Sequence, residues 1–270
     1  MTVLPLFVFK DQSERSDSRQ IRPPKMVLLL FGLLTFAVAP TLVSSQEKTE
    51  PKKLPSAEKV VDGYLNAIGG KKRVRAIKDA TYKWTVWANN RKAGSATTQV
   101  LVPSSARADL ALADGRQSFV VNDRSAWMVG RDGKLQTLPQ AELNTARLQA
   151  ILDANHLLDF KKRNVLAHVS SYDDSESFGP AYVVQFYQRS GAKRKYWFHA
   201  TSKLLMRIDD EDINTITRMG DYRKGQLILE PHRVVISYGG IADLTFILQS
   251  ATYNIGLPQW IFEPPPPVGL

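Results

Sequence analysis

The chain has 270 residues, with 36 Lys+Arg against 26 Asp+Glu and a formal net charge of +10 at pH 7. It contains no Cys, which excludes thiol catalysis, a disulfide framework and lipid attachment at a processed N-terminal Cys. A hydrophobic content of 43% belongs to a chain that can bury a core, not to a disordered one.

Met26 to Ser45 (MVLLLFGLLTFAVAPTLVSS) is apolar, with Arg22 and Lys25 just ahead of it. Its hydrophobic core, Met26 to Ala39, is shorter than the roughly 20 residues that span a bilayer. Pro40 breaks the segment, and Val43-Ser44-Ser45 supplies the modest side chains a signal peptidase requires. Residues 1–45 therefore read as a signal peptide with an N-terminal extension, cleaved before Gln46. The alternative is an uncleaved leader that anchors the protein in the membrane. A start at Met26 would leave no positive charge ahead of the apolar core, so the true start stays open between Met1 and Met26. The leader holds five of the basic and three of the acidic residues, and the remaining 225 keep a net charge of +8. That length suits one sizeable core. Export to the periplasm removes nucleic acid as the partner of a basic chain. An acidic partner or transient contact with an anionic membrane surface remains. The triplets Lys71-Lys72-Arg73 and Lys161-Lys162-Arg163 read as solvated faces.

Residues 46–55 (QEKTEPKKLP) form a polar linker with two prolines. The domain begins at Ser56, an N-cap residue, with Glu58 placed to favour the helix dipole. Val60, Val61, Tyr64, Leu65 and Ile68 fall on one helical face, and Gly69-Gly70 ends the helix. A second short helix covers Lys71 to Ile77. From Asp79 the period becomes two. Strands are expected over Thr81–Ala88, Gly94–Val102, Ala106–Ala113, Gln117–Asn122 and Ser125–Val129, divided by Asn- and Asp-rich turns. Helical spacing returns over Pro139–Asn155, with Leu148, Ile151 and Leu152 adjacent. Strands resume over Arg163–Ser170, Ala181–Gln188, Lys195–His199, Leu204–Asp209, Ile213–Tyr222, Gln226–Tyr238 and Ala242–Asn254. Pro231 predicts a bulge or an edge. Ser190-Gly191 and Gly239-Gly240 predict hairpin turns. The proline-rich tail, residues 264–270, cannot join a sheet. Residues 56–263 thus read as a single, mainly β domain. Its large antiparallel sheet of about eleven or twelve strands curls, with two or three helices covering one face.

The chemistry-bearing residues form no recognisable catalytic set. His156, His168, His199 and His232 lack metal-ligand spacing, and neither H-E-x-x-H, G-x-S-x-G nor a glycine-rich phosphate loop occurs. Gly69-Gly70-Lys71-Lys72 sits at a helix C-terminus, where carbonyls rather than amides are exposed. The run Asp209-Asp210-Glu211-Asp212 could hold a hard cation, but a turn between two strands explains it more simply. No cofactor, metal or catalytic residue is expected. Large apolar groups do alternate along the strands, as in Tyr182, Val184 and Phe186 or Leu244, Phe246 and Leu248. Alternation places Trp84, Phe119, Phe186, Phe198 and Phe246 inside, where they line an apolar ligand site or fill a solid core.

The stretch Ala57 to Val86 (AEKVVDGYLNAIGGKKRVRAIKDATYKWTV) resembles the opening of exported bacterial proteins of the LolA-like, outer-membrane lipoprotein-sorting type. Further matches are Ser125-Ala126-Trp127, Asp221-Tyr222-Arg223 with Gly225, Pro231-His232-Arg233, Asn254-Ile255-Gly256-Leu257-Pro258 and Phe262-Glu263-Pro264-Pro265. The chain is more similar to uncharacterised members than to the LolA carrier itself. The resemblance implies an incomplete antiparallel β-barrel, with helices as a lid over an apolar cavity. In the carrier that cavity holds the acyl chains of lipoproteins in transit. The expectation is a non-catalytic periplasmic carrier or binding protein for a lipid, an acylated protein or another apolar ligand. The alternative is a cell-envelope scaffold with a filled barrel and a protein partner. An envelope hydrolase with an unrecognised site is a third reading.

Overall fold

The computed structural model describes residues 53–239 and 242–264. Residues 1–45, expected to be a signal peptide, residues 46–52 of the linker, Gly240 and residues 265–270 of the tail lie outside the described residues.

Helix α1 (Ala57–Ala67) begins where Ser56, in extended backbone, accepts the Lys59 amide at 3.3 Å. Glu58 lies in its first turn, where a carboxylate offsets the helix dipole. The stripe Val60, Val61, Tyr64 and Leu65 is buried. Gly69 and Gly70 follow with φ of 136° and 94°, conformations that L side chains rarely adopt. They turn the chain into the one-and-a-half-turn α2 (Lys71–Ala76).

The chain then enters the middle of its sheet. From β1 (Asp79–Ala88) the hairpins β2 (Arg91–Leu101), β3 (Ser105–Leu112), β4 (Gly115–Val121), β5 (Ala126–Val129) and β6 (Leu135–Thr137) lead outward to one edge. Helix α3 (Gln140–Ala154) and a 3₁₀ turn (Phe160–Arg163) carry it to the opposite edge. Strands β7 (Leu166–Asp173), β8 (Ala181–Tyr187), β9 (Lys193–His199), β10 (Leu205–Asp210), β11 (Thr215–Lys224), β12 (Leu229–Tyr238) and β13 (Ala242–Tyr253) return, and β13 pairs with β1. The result is one antiparallel sheet of 13 strands in the order β6-β5-β4-β3-β2-β1-β13-β12-β11-β10-β9-β8-β7. Its edges β6 and β7 do not pair, so the sheet is not closed.

The sheet has one strand more than the twelve segments expected. The strand that alternation missed is β6, three exposed residues (LQT) with no inward side chain to mark it. Pro231 lies in β12 opposite Tyr222 of β11. Pairing with β13 begins only at Arg233, so the side of the strand that cannot donate is locally an edge. The carboxylate run ends β10 and turns through Glu211–Asn214 into β11. Among the described residues no helix is long and apolar enough to cross a membrane.

Period-two alternation gives the sheet two faces. The inner face carries Tyr82, Trp84 and Val86, Val184 and Phe186, Tyr196 and Phe198, and Phe246, all buried. Helix α1 packs against β7 and β8, and α3 against β3, β4 and β5. The helices thereby cover the inner face from both edges. The outer face has apolar patches of its own. Val120 and Trp127 pack with Phe262 of the C-terminal segment, flanked by Leu101, Val129, Leu257 and Ile261. That segment is tied down where the Asn122 side-chain amide donates to the Phe262 carbonyl at 2.8 Å. Arg107 adds a bond from its guanidinium to the Ile261 carbonyl at 3.1 Å. Ala181, Val183 and Trp197 form a second outer patch under Phe178. Arg207 lies 4.6 Å over the Trp197 ring.

Phe262 is fully enclosed although it lies near the end of the chain. Truncating it empties the patch beneath the C-terminal segment. Phe262→Ala is expected to cost about 3–5 kcal/mol in urea unfolding. Ile255→Ala, at a position 57% exposed, should stay within about 0.5 kcal/mol.

Candidate functional site

The inner face is built from rings in contact. Towards the β7 edge, Phe160 meets Phe186 edge-on at 5.3 Å, and Phe186 meets Tyr196 at 5.0 Å. Tyr196 stacks on Phe198 at 6.4 Å, and Phe198 touches Tyr64 of α1 at 5.6 Å. At mid-sheet, Trp84 lies 6.5 Å from Phe246, 6.3 Å from Tyr82, and Tyr82 lies 6.2 Å from Tyr253. Edge-to-face pairs of this kind add to the burial of the rings themselves. All five expected ligand-lining residues, Trp84, Phe119, Phe186, Phe198 and Phe246, lie on this face at 0–3% exposure. Trp84 and Phe246 share one ring group, Phe186 and Phe198 the other. Phe119 lies on β4.

Three polar sets interrupt the apolar surface, and alternation alone had not singled them out. The Trp84 indole N–H donates to the Thr98 hydroxyl at 3.1 Å. Glu230 of β12, 1% exposed, accepts from the hydroxyls of Tyr82, at 3.2 Å, and Tyr253. Burial and the Glu230 charge push both phenols above their ordinary range. The third set joins α3 to the sheet. Arg194 of β9 reaches Asp210 of β10 at 3.1 Å, with both side chains at 4% exposure or less. Asp153, near the end of α3, faces the same guanidinium. Burial raises both carboxyls, against the pull of Arg194, and Asp153 rises to about 6. Burial also holds His156, just past α3, well below its ordinary value, so its imidazole is neutral at pH 7.

The cover has a seam. A cleft of about 190 Å³ runs between α1, α2 and the 3₁₀ turn. Val61, Leu65, Leu157, Leu158 and Phe160 form its floor. Phe160 connects that floor to the inner rings through Phe186. Ion pairs cross or flank the opening: Lys161 with Glu58, Arg75 with Asp159 at 3.6 Å, and Lys71 with Asp62 at 2.7 Å. The two basic triplets read from the sequence as solvated faces therefore supply charges on both sides of this seam. Each pair is substantially exposed, and exposed pairs contribute only about 0–1 kcal/mol apiece. Among the described residues no three of His, Cys, Asp or Glu are grouped to hold a metal ion.

No family model and no curated protein matches the chain. Solved structures do. A LolA superfamily protein from Nitrosomonas europaea is similar with a TM-score of 0.51 and 13% identity, over 78% of this chain and 99% of that one. The chain has a LolA-like fold. A DUF1329 family protein from Desulfovibrio piger ATCC 29098 is also similar, with a TM-score of 0.49 and 11% identity over 76% of this chain and 96% of that one. Identities this low speak for the fold alone.

Asp153 gives the site a measurable pH signature. Its carboxyl titrates near 3.8 when unfolded and near 6 when folded. Between those values the native protein keeps a proton that the unfolded chain releases, so stability falls as pH rises through the window. Asp153→Asn removes that loss. It should exceed the wild type in urea unfolding by about 1–3 kcal/mol above neutral pH, and match it below the ordinary carboxylate range.

Proposed function

We propose that this protein is a non-catalytic carrier or binding protein of the cell envelope, exported by its leader, that takes an apolar ligand between its inner rings and its helical cover. The ligand class is a lipid, the acyl chain of an acylated protein, or a molecule of similar shape. The observation that carries this reading is the cleft at the seam of the cover, with an apolar floor continuous with the inner rings. A sheet covered by a second sheet must separate a large interface to admit a ligand. Here the cover is α1, a six-residue helix and a 3₁₀ turn, held across the seam by exposed ion pairs. Moving α1 would expose the floor while the strand ladder stays intact. Trp84, Phe119, Phe186, Phe198 and Phe246 would then contact the ligand.

One observation favours a second reading. In this structure the inner rings touch one another and are closed to solvent, as in an envelope scaffold with a filled interior. The two readings differ in whether the seam opens. Protein recovered from the envelope by mild extraction is expected to begin at Gln46 and to release an apolar ligand in native mass spectrometry. In the absence of any native Cys, Glu58→Cys/Lys161→Cys can be joined across the seam by a short bis-thiol reagent. The unjoined variant should bind a fluorescent fatty acid saturably, and the joined one should not. Binding that survives joining excludes this entrance. No binding by either form, together with no co-purified ligand, favours the scaffold.

A further inference from the structure

The outer face carries a feature that the carrier reading does not use. Its apolar patch on β4 and β5 is covered by the C-terminal segment, and its patch on β8 and β9 by Phe178. Between them, across β1, β13 and β12, lies a groove of about 460 Å³. Trp87, Val235, Thr245 and Ile247 supply its aromatic and aliphatic lining, with Arg233 and Asp243 at its margins. Trp87 is 38% exposed.

Cross-strand register places cations around this strip. Trp87 pairs with Lys92 of β2 on one side and Thr245 on the other. Thr245 faces Val235, and Val235 faces Arg218. Ile247 faces Arg233. Lys83 and Trp87 lie two residues to either side of Thr85 and point the same way. Lys83, Lys92, Arg218 and Arg233 are all exposed. Among the described residues none of the four is joined to an acid in an ion pair. This contrasts with Arg107, Arg207 and Arg223, each of which is bound to an aspartate two residues on or back. Among the described residues, four cations outside ion pairs stand against the one carboxylate of Asp243, which sets the charge of the occupant as negative.

We infer that this strip is a docking surface for a membrane bearing anionic headgroups. Charge complementarity selects the anionic partner. The broad, shallow shape and an exposed Trp between aliphatic side chains select a lipid surface: the indole suits the boundary between headgroup and acyl chain, and lysines and arginines gain attraction near anionic lipid. The surface lies on the face opposite the ligand layer, so it stands or falls separately from the carrier reading.

The test is co-sedimentation of the purified protein with vesicles of phosphatidylglycerol and phosphatidylcholine in equal parts, and with phosphatidylcholine alone. The protein should bind the anionic vesicles, release from them as salt rises, and ignore the neutral ones. Arg218→Gln/Arg233→Gln should weaken binding about thirtyfold, the effect of two lost surface cations, with an unchanged melting temperature. Lys71→Gln/Lys72→Gln, on α2, should bind as the wild type does. Brominated lipid should quench indole fluorescence in the wild type and not in Trp87→Phe. Equal binding to neutral vesicles overturns the inference. So does binding that survives the Arg218/Arg233 change or is lost with the Lys71/Lys72 change. Capture of polyglutamate with no vesicle binding assigns the strip to an acidic protein and overturns it as well.

Discussion

Everything in this fold depends on burying one aromatic sheet face without a second sheet to cover it. Thirteen strands present Tyr82, Trp84, Phe186, Tyr196, Phe198 and Phe246 to the same side. Fully burying rings of this size contributes on the order of 2–3 kcal/mol each, and leaving them in water would forfeit that. The sheet therefore turns its rings on one another, and the helices close what remains. The connection makes this work. Because α3 runs from edge strand β6 to edge strand β7, the segment that joins the two halves of the meander also packs against β3, β4 and β5. Helix α1, ahead of the first strand, closes the β7 side. One cover is tied to the sheet by a buried charge cluster, while α1 is linked to α2 and the 3₁₀ turn by exposed ion pairs, and this difference locates the seam.

The buried charges fit the same logic. A lone buried charge is costly, and an opposite charge or hydrogen-bond donors beside it offset part of that cost. Arg194 sits between Asp210 and Asp153, and Glu230 between two tyrosine hydroxyls. The first arrangement ties α3 to β9 and β10, with Asp153 the member whose protonation burial favours. The second ties β12 to β1 and β13 at the point where the β12–β13 ladder has not yet begun. In each case polar pairing holds elements together where backbone pairing is lacking.

Much of the architecture was legible in the residues. Alternation marked twelve of the strands and their inner rings, the Ser56 cap and Gly69-Gly70 bounded α1, and 3.6-residue spacing located α3. What escaped was whatever alternation does not encode. Strand β6 is three exposed residues held only by backbone pairing. Arg194 stands in the run KRKYWFH, between two lysines. Its phase was nevertheless that of Tyr196 and Phe198, and that shared parity was the signal that placed it inside. Glu230 lies likewise in phase with Val234 and Ile236. Trp127 and Trp197 were legible as large side chains, but alternation has no means of saying that the outer face would be covered by the chain's own C-terminal segment and by Phe178. The outer strip around Trp87 was invisible for a related reason: its cations come from four strands and meet only through register. The ring packing of the interior was open in the sequence, where a hollow and a filled sheet read alike.

The central claim is that α1 can leave the sheet while the strand ladder stays intact. Native-state hydrogen exchange tests it most directly, because it measures the free energy of opening segment by segment. The account predicts that the amides of Val60 to Ile68 exchange through a local opening, well below the free energy of global unfolding, while those of β1 and β13 exchange only with the whole fold. It also predicts that a bound fatty acid slows exchange in α1. Exchange of α1 at the same free energy as β1 and β13, unaltered by ligand, would contradict it.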